Sequence, residues 1–238
     1  MRPIQFHTAT RQGLSRTRNE DRSYARYQAD GSALLVVADG MGGEAGGELA
    51  AQMAVVEFKS TSARACITPS MLPEIAGRVQ KNILRHSVEH PDLEGMGTTL
   101  TAALVSGTLV HWLHVGDSRL YRFKTPDLVR LTEDHRFLAT LLEHGDITPE
   151  EARTHPFRNM LDQCLGCPKI TPDVGYAEIE PGDTLLLCTD GLYGELPGQA
   201  IAAVLAESSA PEVKAEKLLA AALSAGAKDD MTLIVVNI

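Results

Sequence analysis

The chain has 238 residues, of which 44% are hydrophobic and 22% charged, so it can bury a substantial core and is not expected to be disordered. Its formal net charge of −9 argues against nucleic acid or an anionic membrane as the main partner, and suits a protein that gathers carboxylates around cations. No apolar run approaches the ~20 residues that span a bilayer. The start of the chain lacks a secretory pattern and the four cysteines lack a framework spacing, so we expect a reduced cytoplasmic protein.

The first half of the chain predicts two strands, two helices and a hairpin. The run 33–38 is continuously apolar, as expected of a strand that is covered on both faces, and a glycine-rich turn follows it. Apolar residues then recur at the spacing of one helix face, beginning with Leu49. The pair Ser106-Gly107 suits a two-residue hairpin turn. The predicted elements are a strand at 4–9, a strand at 33–38, a helix through Leu49, Met53 and Val56, a helix at 71–89, and hairpin strands at 98–105 and 108–115.

The second half places a polar insert between two groups of strands. The segment 132–165 is mixed and polar, with one helix suggested around Phe137 and a second helix start at Thr148-Pro149. The other predicted elements are strands at 119–123, 174–179, 183–188 and 231–236, and helices at 198–207 and 211–224. No linker divides the chain, so we expect one domain over 1–238, with an α+β fold and at least part of its sheet antiparallel.

Four aspartates lie where apolar strands begin or end. Asp39, Asp117 and Asp190 follow predicted strands, and Asp229 precedes the last one. Antiparallel neighbours bring these two kinds of strand end to the same rim. A carboxylate beside a buried strand is unfavourable unless its charge is compensated, and several oxygen ligands on one rim suit hard divalent cations. The sequence therefore predicts metal-assisted chemistry.

Each acidic segment also has a structural interpretation. The segment from Arg16 to Asp21 can be a charged surface loop, although the planar fork of an arginine also suits a phosphate. Asp39 can bridge two cations, with the Gly40 carbonyl as a further ligand, or it can only cap a helix after a tight turn. Asp117 is equally typical of a hairpin corner.

Seven short motifs combine these residues in a fixed order. They are Arg16…Glu20-Asp21, Ala38-Asp39-Gly40-Met41-Gly42-Gly43, Gly97-Thr98-Thr99-Leu100, Val115-Gly116-Asp117-Ser118-Arg119, Leu131-Thr132-Glu133-Asp134-His135, Thr189-Asp190-Gly191-Leu192 and Asp229-Asp230-Met231-Thr232. Together they strongly resemble the metal-dependent protein serine/threonine phosphatases of type 2C, the PPM-type family, in its compact bacterial form. The resemblance covers essentially the whole chain. It implies a four-layer α-β-β-α sandwich of two antiparallel sheets flanked by helices.

The resemblance assigns metal ligands on the acidic rim. It implies that Asp39 bridges two Mn²⁺ or Mg²⁺ ions and that the carbonyl oxygen of Gly40 contacts one of them. Asp190 and Asp229 would bind the other ion of the pair. Asp117, together with Asp190, would hold a third and weaker ion.

The resemblance gives other residues indirect roles. Arg16 would grip the substrate phosphate, and Glu20 and Asp21 would act through metal-bound waters. Asp230 stands where many relatives have asparagine, and we expect it to support the site without binding metal directly. Met41 stands where many eukaryotic members have a histidine that is a proposed general acid.

The group that protonates the leaving oxygen is therefore not identified from the sequence. A metal-bound water or His155, which lies in the insert, can serve this purpose. The insert at 132–165 resembles the family's flap, which borders the active site. Its pattern resembles the compact bacterial members: Gly145…Thr148-Pro149-Glu150-Glu151…His155-Pro156…Arg158-Asn159.

The implied function is hydrolysis of phosphoserine and phosphothreonine on proteins by direct attack of a water that two cations activate. This activity would reverse a bacterial serine/threonine kinase. The alternative is a catalytically weak regulatory module of the same fold, which binds phosphoproteins or switches partners. We expect phosphorylated proteins as substrates, a cognate kinase, a monomer, and neither nucleic acid nor membrane as partner.

Overall fold

The computed structural model describes residues 4–42, 46–158 and 160–238, so Gly43 and Asn159 of the predicted motifs lie outside the described residues. Two five-stranded antiparallel sheets form its centre. The first sheet has the order β1 (Gln5–Arg11), β12 (Met231–Asn237), β11 (Thr184–Cys188), β8 (Arg119–Lys124), β9 (Asp127–Arg130). The second sheet has the order β10 (Asp173–Glu178), β7 (Leu109–Val115), β6 (Leu100–Ser106), β3 (Ala33–Ala38), β2 (Arg22–Tyr27).

The helices and two short strands complete the chain. Strands β4 (Gly40–Met41) and β5 (Gly97–Thr98) pair with each other beside the second sheet. The helices are α1 (Gly46–Arg64), α2 (Met71–Glu89), α3 (Phe137–His144), α4 (Pro149–Thr154), α5 (Asp190–Tyr193), α6 (Gly198–Leu205) and α7 (Pro211–Ala225). None of the helices in the described ranges is long and apolar enough to cross a membrane.

The alternation of side chains along β3 creates the layers. Leu35 and Val37 face the other sheet and pack there with Leu187 of β11. Leu34 and Val36 face the opposite way, into the core that α1 and α2 cover. The first sheet is built in the same manner, with a core under α6 and α7 on its outer face. The predicted four-layer sandwich of two antiparallel sheets flanked by helices is therefore confirmed, and the continuous apolar run of β3 is explained by burial on both faces.

Strand direction brings the four aspartates to one end of the sandwich. Strands β3 and β7 are both antiparallel to β6, so both end at the same rim, where Asp39 and Asp117 follow them. Strand β12 is antiparallel to β11, so the start of β12 after Asp229 lies beside the end of β11 before Asp190. The rim that the sequence predicts therefore exists as a geometric consequence of antiparallel pairing.

Several elements differ from the prediction. Strands β2 and β9 were not predicted, because both are edge strands that lack a long apolar run. The predicted position of the hairpin turn, Ser106-Gly107, is wrong by one residue. Ser106 pairs with Leu109, so Gly107 and Thr108 form the connection. Gly107 has a φ of 59°, which suits the first central position of a tight hairpin turn.

Candidate metal centre

The main chain around Asp39 is packed so closely that the next residue, Gly40, has no room for a side chain. A Cβ on Gly40 would lie 2.2 Å from the carbonyl oxygen of Gly47, so only glycine allows α1 to begin this close to the end of β3. The main chain of Asp39 is fixed on both sides. Its N–H donates to Thr99 Oγ1 at 3.0 Å, and its carbonyl oxygen accepts from Thr98 Oγ1 at 2.9 Å. These hydrogen bonds hold the main chain of Asp39 in place, and its side chain lines the cavity at the rim.

Asp190 and Asp229 are brought together by the pairing of β11 with β12. The N–H of Thr189 donates to the carbonyl oxygen of Thr232 at 3.0 Å, one residue beyond the end of the β11 strand. A Cβ on Gly191 would lie 2.1 Å from the carbonyl oxygen of Asp230, so the two chains remain in contact past the strand ends. Asp190 and Asp229 thus approach each other from different segments of the sequence.

The carboxylates perturb one another. Removal from bulk water raises the pKa of Asp39 well above its ordinary value, and the charges of Asp21, Asp190 and other nearby aspartates raise it further. The same desolvation, with the charges of Asp117 and Asp229, raises the pKa of Asp190 to about 7. Mutual repulsion of this kind is relieved when a cation binds between the groups.

Asp21 lies below the rim and is almost completely buried. Desolvation raises its pKa to about 8, although the hydrogen bond from Thr189 Oγ1 at 2.8 Å opposes this effect. Glu20, its neighbour, also has a raised pKa because of desolvation, and the nearby Arg16 lowers it in part. Two further acids therefore border the carboxylates that face the cavity.

Asp230 holds the segment that carries Arg16 and Glu20. Its two carboxylate oxygens accept from the N–H of Gly13 and the N–H of Glu20, each at 2.9 Å. Arg16 in turn donates to Asp229 at 2.6 Å. The side chain of Arg16 remains 44% exposed, so its guanidinium is accessible to a ligand in the cavity.

Asp117 is bound by residues that the sequence analysis did not identify. Arg136 donates to one Asp117 oxygen through Nε at 3.0 Å and Nη2 at 2.8 Å. The Tyr193 hydroxyl donates to the Asp117 carbonyl oxygen at 2.9 Å, and the guanidinium of Arg119 lies 3.5 Å from the centre of the Tyr193 ring. No motif pointed to Arg136 or Tyr193, because their contacts depend on the fold and not on local spacing.

These groups surround a cavity of about 480 Å³ at the rim. Most of its walls are polar, and Met41 and Leu161 add apolar surface. His155 is not among the residues that line it; its ring lies 5.6 Å from that of Phe157 in the insert. The lining residues are Arg16, Thr17, Arg18, Glu20, Asp39, Gly40, Met41, Gly42, Asp117, Leu161, Asp190 and Asp229. The structure thus brings together all the predicted ligands and Arg16, while Asp21 and Asp230 lie behind the wall.

Comparison with known proteins identifies the family of this site. A family model described as protein phosphatase 2C matches residues 11–225. The serine/threonine protein phosphatase PstP of Mycobacterium tuberculosis is 36% identical over 241 residues, which cover 99% of this chain; the chain spans only 45% of that relative's length. The serine/threonine phosphatase stp of Listeria monocytogenes is 36% identical over 235 residues, which cover 96% of this chain and 93% of that protein.

The fold agrees with these matches. The crystal structure of the catalytic domain of PstP in complex with 2 manganese ions superposes with a TM-score of 0.84 at 33% identity, covering 98% of this chain and 97% of that one. The resemblance that the seven motifs indicated is confirmed: the chain belongs to the protein phosphatase 2C family, whose relatives named here are bacterial serine/threonine protein phosphatases.

Proposed function

We propose that the protein hydrolyses phosphoserine and phosphothreonine on other proteins, with two Mn²⁺ or Mg²⁺ ions at the rim. Asp39, the Gly40 carbonyl, Asp190 and Asp229 would hold the ions. The observation that carries this proposal is the convergence of three aspartates on one cavity, two of which have raised pKa values. Within the described ranges, neither Asp39 nor Asp190 forms an ion pair with a basic side chain, so their charge calls for an external cation.

The donor set fits the proposed ions. All of these ligand atoms are oxygens, which is the preference of Mg²⁺ and Mn²⁺, and neither cysteine nor histidine is among the described residues that line the cavity. A solved relative of the same family contains 2 manganese ions, which supports the choice of metal. When bound, such ions would act as Lewis acids, supply a water-derived nucleophile at neutral pH and offset charge on the phosphoryl oxygens.

Arg16 would bind the substrate phosphate. Its guanidinium faces the cavity and can present two parallel N–H donors to a phosphate. Because it donates to Asp229 in this structure, it would exchange this carboxylate for the phosphoryl group when substrate arrives. This places the phosphorus beside the carboxylates that would hold the ions.

Glu20 and Asp21 would act through metal-bound waters, Glu20 from the cavity wall and Asp21 from behind it. Both have raised pKa values and therefore retain or accept a proton closer to neutral pH than an ordinary carboxyl group. The described residues that line the cavity include no serine or cysteine, so we propose direct attack by water and no phospho-enzyme.

A third ion would bind more weakly than the pair. Asp117 and Asp190 would provide its protein ligands, but the Asp117 carboxylate already accepts two hydrogen bonds from Arg136. A cation at this corner must displace the guanidinium or share the carboxylate with it. Competition with Arg136 therefore supports weaker binding of a third ion.

The insert 132–165 would contribute to substrate selection as a flap within one catalytic domain. Its residue Leu161 lines the cavity, and its two helices, α3 and α4, are in contact with each other. The substrates would be proteins that a serine/threonine kinase has phosphorylated, since a phosphatase of this type consumes the product of such an enzyme.

The proposal is tested with para-nitrophenyl phosphate and a phosphothreonine peptide, in the presence of Mn²⁺ and again with a chelator. We expect turnover of both substrates with metal and loss of turnover after chelation. A folded protein that binds Mn²⁺ and the phosphopeptide without hydrolysing it would instead favour the phosphoprotein-binding module.

A further inference from the structure

Cys164 and Cys167 form a sulfur pair where the insert returns to the sheets. Their Sγ atoms are 2.7 Å apart, while all four cysteines of the chain are free thiols. We propose that these two thiols are a reversible disulfide site, which small disulfides such as glutathione disulfide oxidise. This site goes beyond the proposed phosphatase activity and does not depend on it.

The backbone between the two cysteines is a tight turn. The N–H of Cys167 donates to the carbonyl oxygen of Cys164 at 3.1 Å. Gly166 has a φ of 107°, and a Cβ at this position would lie 2.4 Å from the carbonyl oxygen of Met96, so the turn requires glycine here. A turn of this kind brings the first and fourth Cα atoms within about 7 Å, the range in which disulfides form. Little backbone movement is needed to close the bond.

The turn is anchored on two sides. The buried side chain of Gln80 on α2 accepts from the N–H of Gly166 at 2.7 Å and donates to the carbonyl oxygen of Cys167 at 2.6 Å. Leu165 exchanges two main-chain hydrogen bonds with Thr98 of β5, each at 2.9 Å. The approach of the two sulfurs is therefore part of the packed fold and not of a loose loop.

The same anchors connect the sulfur pair to the candidate metal centre. Thr98 Oγ1 donates to the carbonyl oxygen of Asp39 at 2.9 Å. Cys164 Sγ would lie 3.2 Å from a Cβ on Gly97, the residue before Thr98. The disulfide would therefore form in contact with the strand that supports Asp39.

The two thiols differ in accessibility, which sets the order of reaction. Cys164 is buried, and burial together with its hydrogen bond to Cys167 raises its pKa well above the usual value for a thiol. Cys167 is partly exposed. Cys167 is therefore the thiol that meets an oxidant first, and Cys164 is the thiol that completes the bond.

The reaction proceeds by two thiol–disulfide exchanges. The Cys167 thiolate attacks one sulfur of glutathione disulfide, forms a mixed disulfide and releases one glutathione. Cys164 then loses its proton to solvent and attacks Sγ of Cys167, which releases the second glutathione. The two protein thiols lose two electrons and two protons, and the glutathione disulfide gains them.

Zinc is a weaker occupant of this pair, and the other cysteines lack such a partner. The compact group of His86, Glu89 and His90, whose ligand atoms lie within 4.8 Å of one another, includes neither cysteine. Cys188 is buried in the core under α6 and α7. Cys66 is partly exposed and therefore provides a matched control.

The test uses the reduced full chain and an excess of glutathione disulfide. Free thiols are then alkylated, and trypsin cleaves after Arg158 and Lys169 to release both cysteines in one peptide. We expect this peptide to be two hydrogens lighter than its reduced form, free of alkyl groups, and restored by dithiothreitol. Alkylation of both cysteines, a glutathione adduct that persists on the native chain, or a bond to Cys66 would overturn the proposal.

Three variants check the order of the reaction. Cys164→Ser should stop with glutathione attached to Cys167, whereas Cys167→Ser should leave Cys164 unmodified. Cys66→Ser should form the disulfide as the native chain does. Thermal melts establish that the variants are folded, and the native chain decides the proposal if a serine variant does not fold.

Discussion

Asp117 and Asp190 face the same cavity, but the protein compensates their charges differently. Asp117 is bound by Arg136, and the Tyr193 hydroxyl fixes its carbonyl oxygen. Asp190, among the described residues, has no ion pair with a basic side chain, and nearby aspartates raise its pKa. A guanidinium beside a carboxylate offsets its charge within the protein, whereas neighbouring carboxylates add to the repulsion.

This difference indicates where the protein depends on external cations. On one side of the rim, Asp39, Asp190 and Asp229 come from three separate segments, and among the described residues their one ion-pair partner is Arg16, which pairs with Asp229. On the other side, Asp117 is paired with Arg136. We therefore expect metal to bind most strongly beside Asp39, Asp190 and Asp229. The substitutions below test this difference between the two sides in order of decreasing effect, and the pH dependence of stability tests it last.

Asp39→Asn and Asp229→Asn should each lower turnover by at least about 100-fold, because each removes a charge that would hold the cation pair. The measurement is kcat with para-nitrophenyl phosphate at saturating Mn²⁺. Asp127→Asn, in the exposed strand β9, is the matched control and should leave kcat unchanged. A near-native rate in either rim variant would remove that residue from the ligand set.

Arg16→Ala should raise KM by roughly 10- to 100-fold with a smaller change in kcat, because a charge-assisted pair of hydrogen bonds to phosphate is lost. Steady-state kinetics with a phosphothreonine peptide separate the two parameters. Arg16→Lys keeps the charge without the planar fork and should recover part of the loss. A collapse of kcat at constant KM would mean that Arg16 acts in the transition state instead.

Arg136→Gln should strengthen binding of an additional Mn²⁺ by about tenfold, or about 1.4 kcal/mol, because it frees the Asp117 carboxylate. Calorimetric titration of the metal-depleted protein measures this without reference to activity. Arg122→Gln is the matched control, since it breaks a comparable pair with Asp183 at 2.7 Å. Unchanged affinity in Arg136→Gln would show that the guanidinium does not compete with metal.

Without metal, the free energy of unfolding should fall as pH rises from about 6.5 to about 8.5. Asp190 has a folded-state pKa of about 7 and Asp21 of about 8, both raised from 3.8, so at these two groups only the folded state loses protons in this interval. The expected loss is about 2–3 kcal/mol.

Chemical denaturation in chelator at several pH values measures this slope. Saturating Mn²⁺ should remove it, and Asp190→Asn should reduce it. A metal-free protein whose stability is constant or rises over the same interval would contradict the repulsion that the geometry indicates.

The sequence predicted the parts of the fold that have strong local signals. The apolar run of β3 identified a strand buried on both faces, and aspartates at strand ends identified the rim. Strand β2 was not predicted. Its polar residues, such as Arg22 and Arg26, suit a half-exposed edge strand but are equally typical of a polar loop. Edge strands depend on the neighbour that pairs with them, and this information is not local.

The same limit applies to the site. The predicted ligands follow strands, so strand order was sufficient to bring them together. Arg136 reaches Asp117 across 19 residues of sequence and also contacts Tyr193, 57 residues further along the chain. The sequence does show that Arg136 follows the Asp134-His135 motif directly, but it does not show that Asp117 is its partner, because tertiary packing determines that contact.

The contact between Arg16 and Asp229 links the two ligands that the proposed enzyme must bind. In this structure Arg16 donates to a carboxylate that the proposed metal pair would also need. A metal that binds Asp229 would release Arg16 for phosphate, so each ligand should increase the affinity for the other by the same factor. Phosphate affinity should therefore rise with Mn²⁺ concentration, and the proposed enzyme would bind its substrates poorly where that metal is scarce.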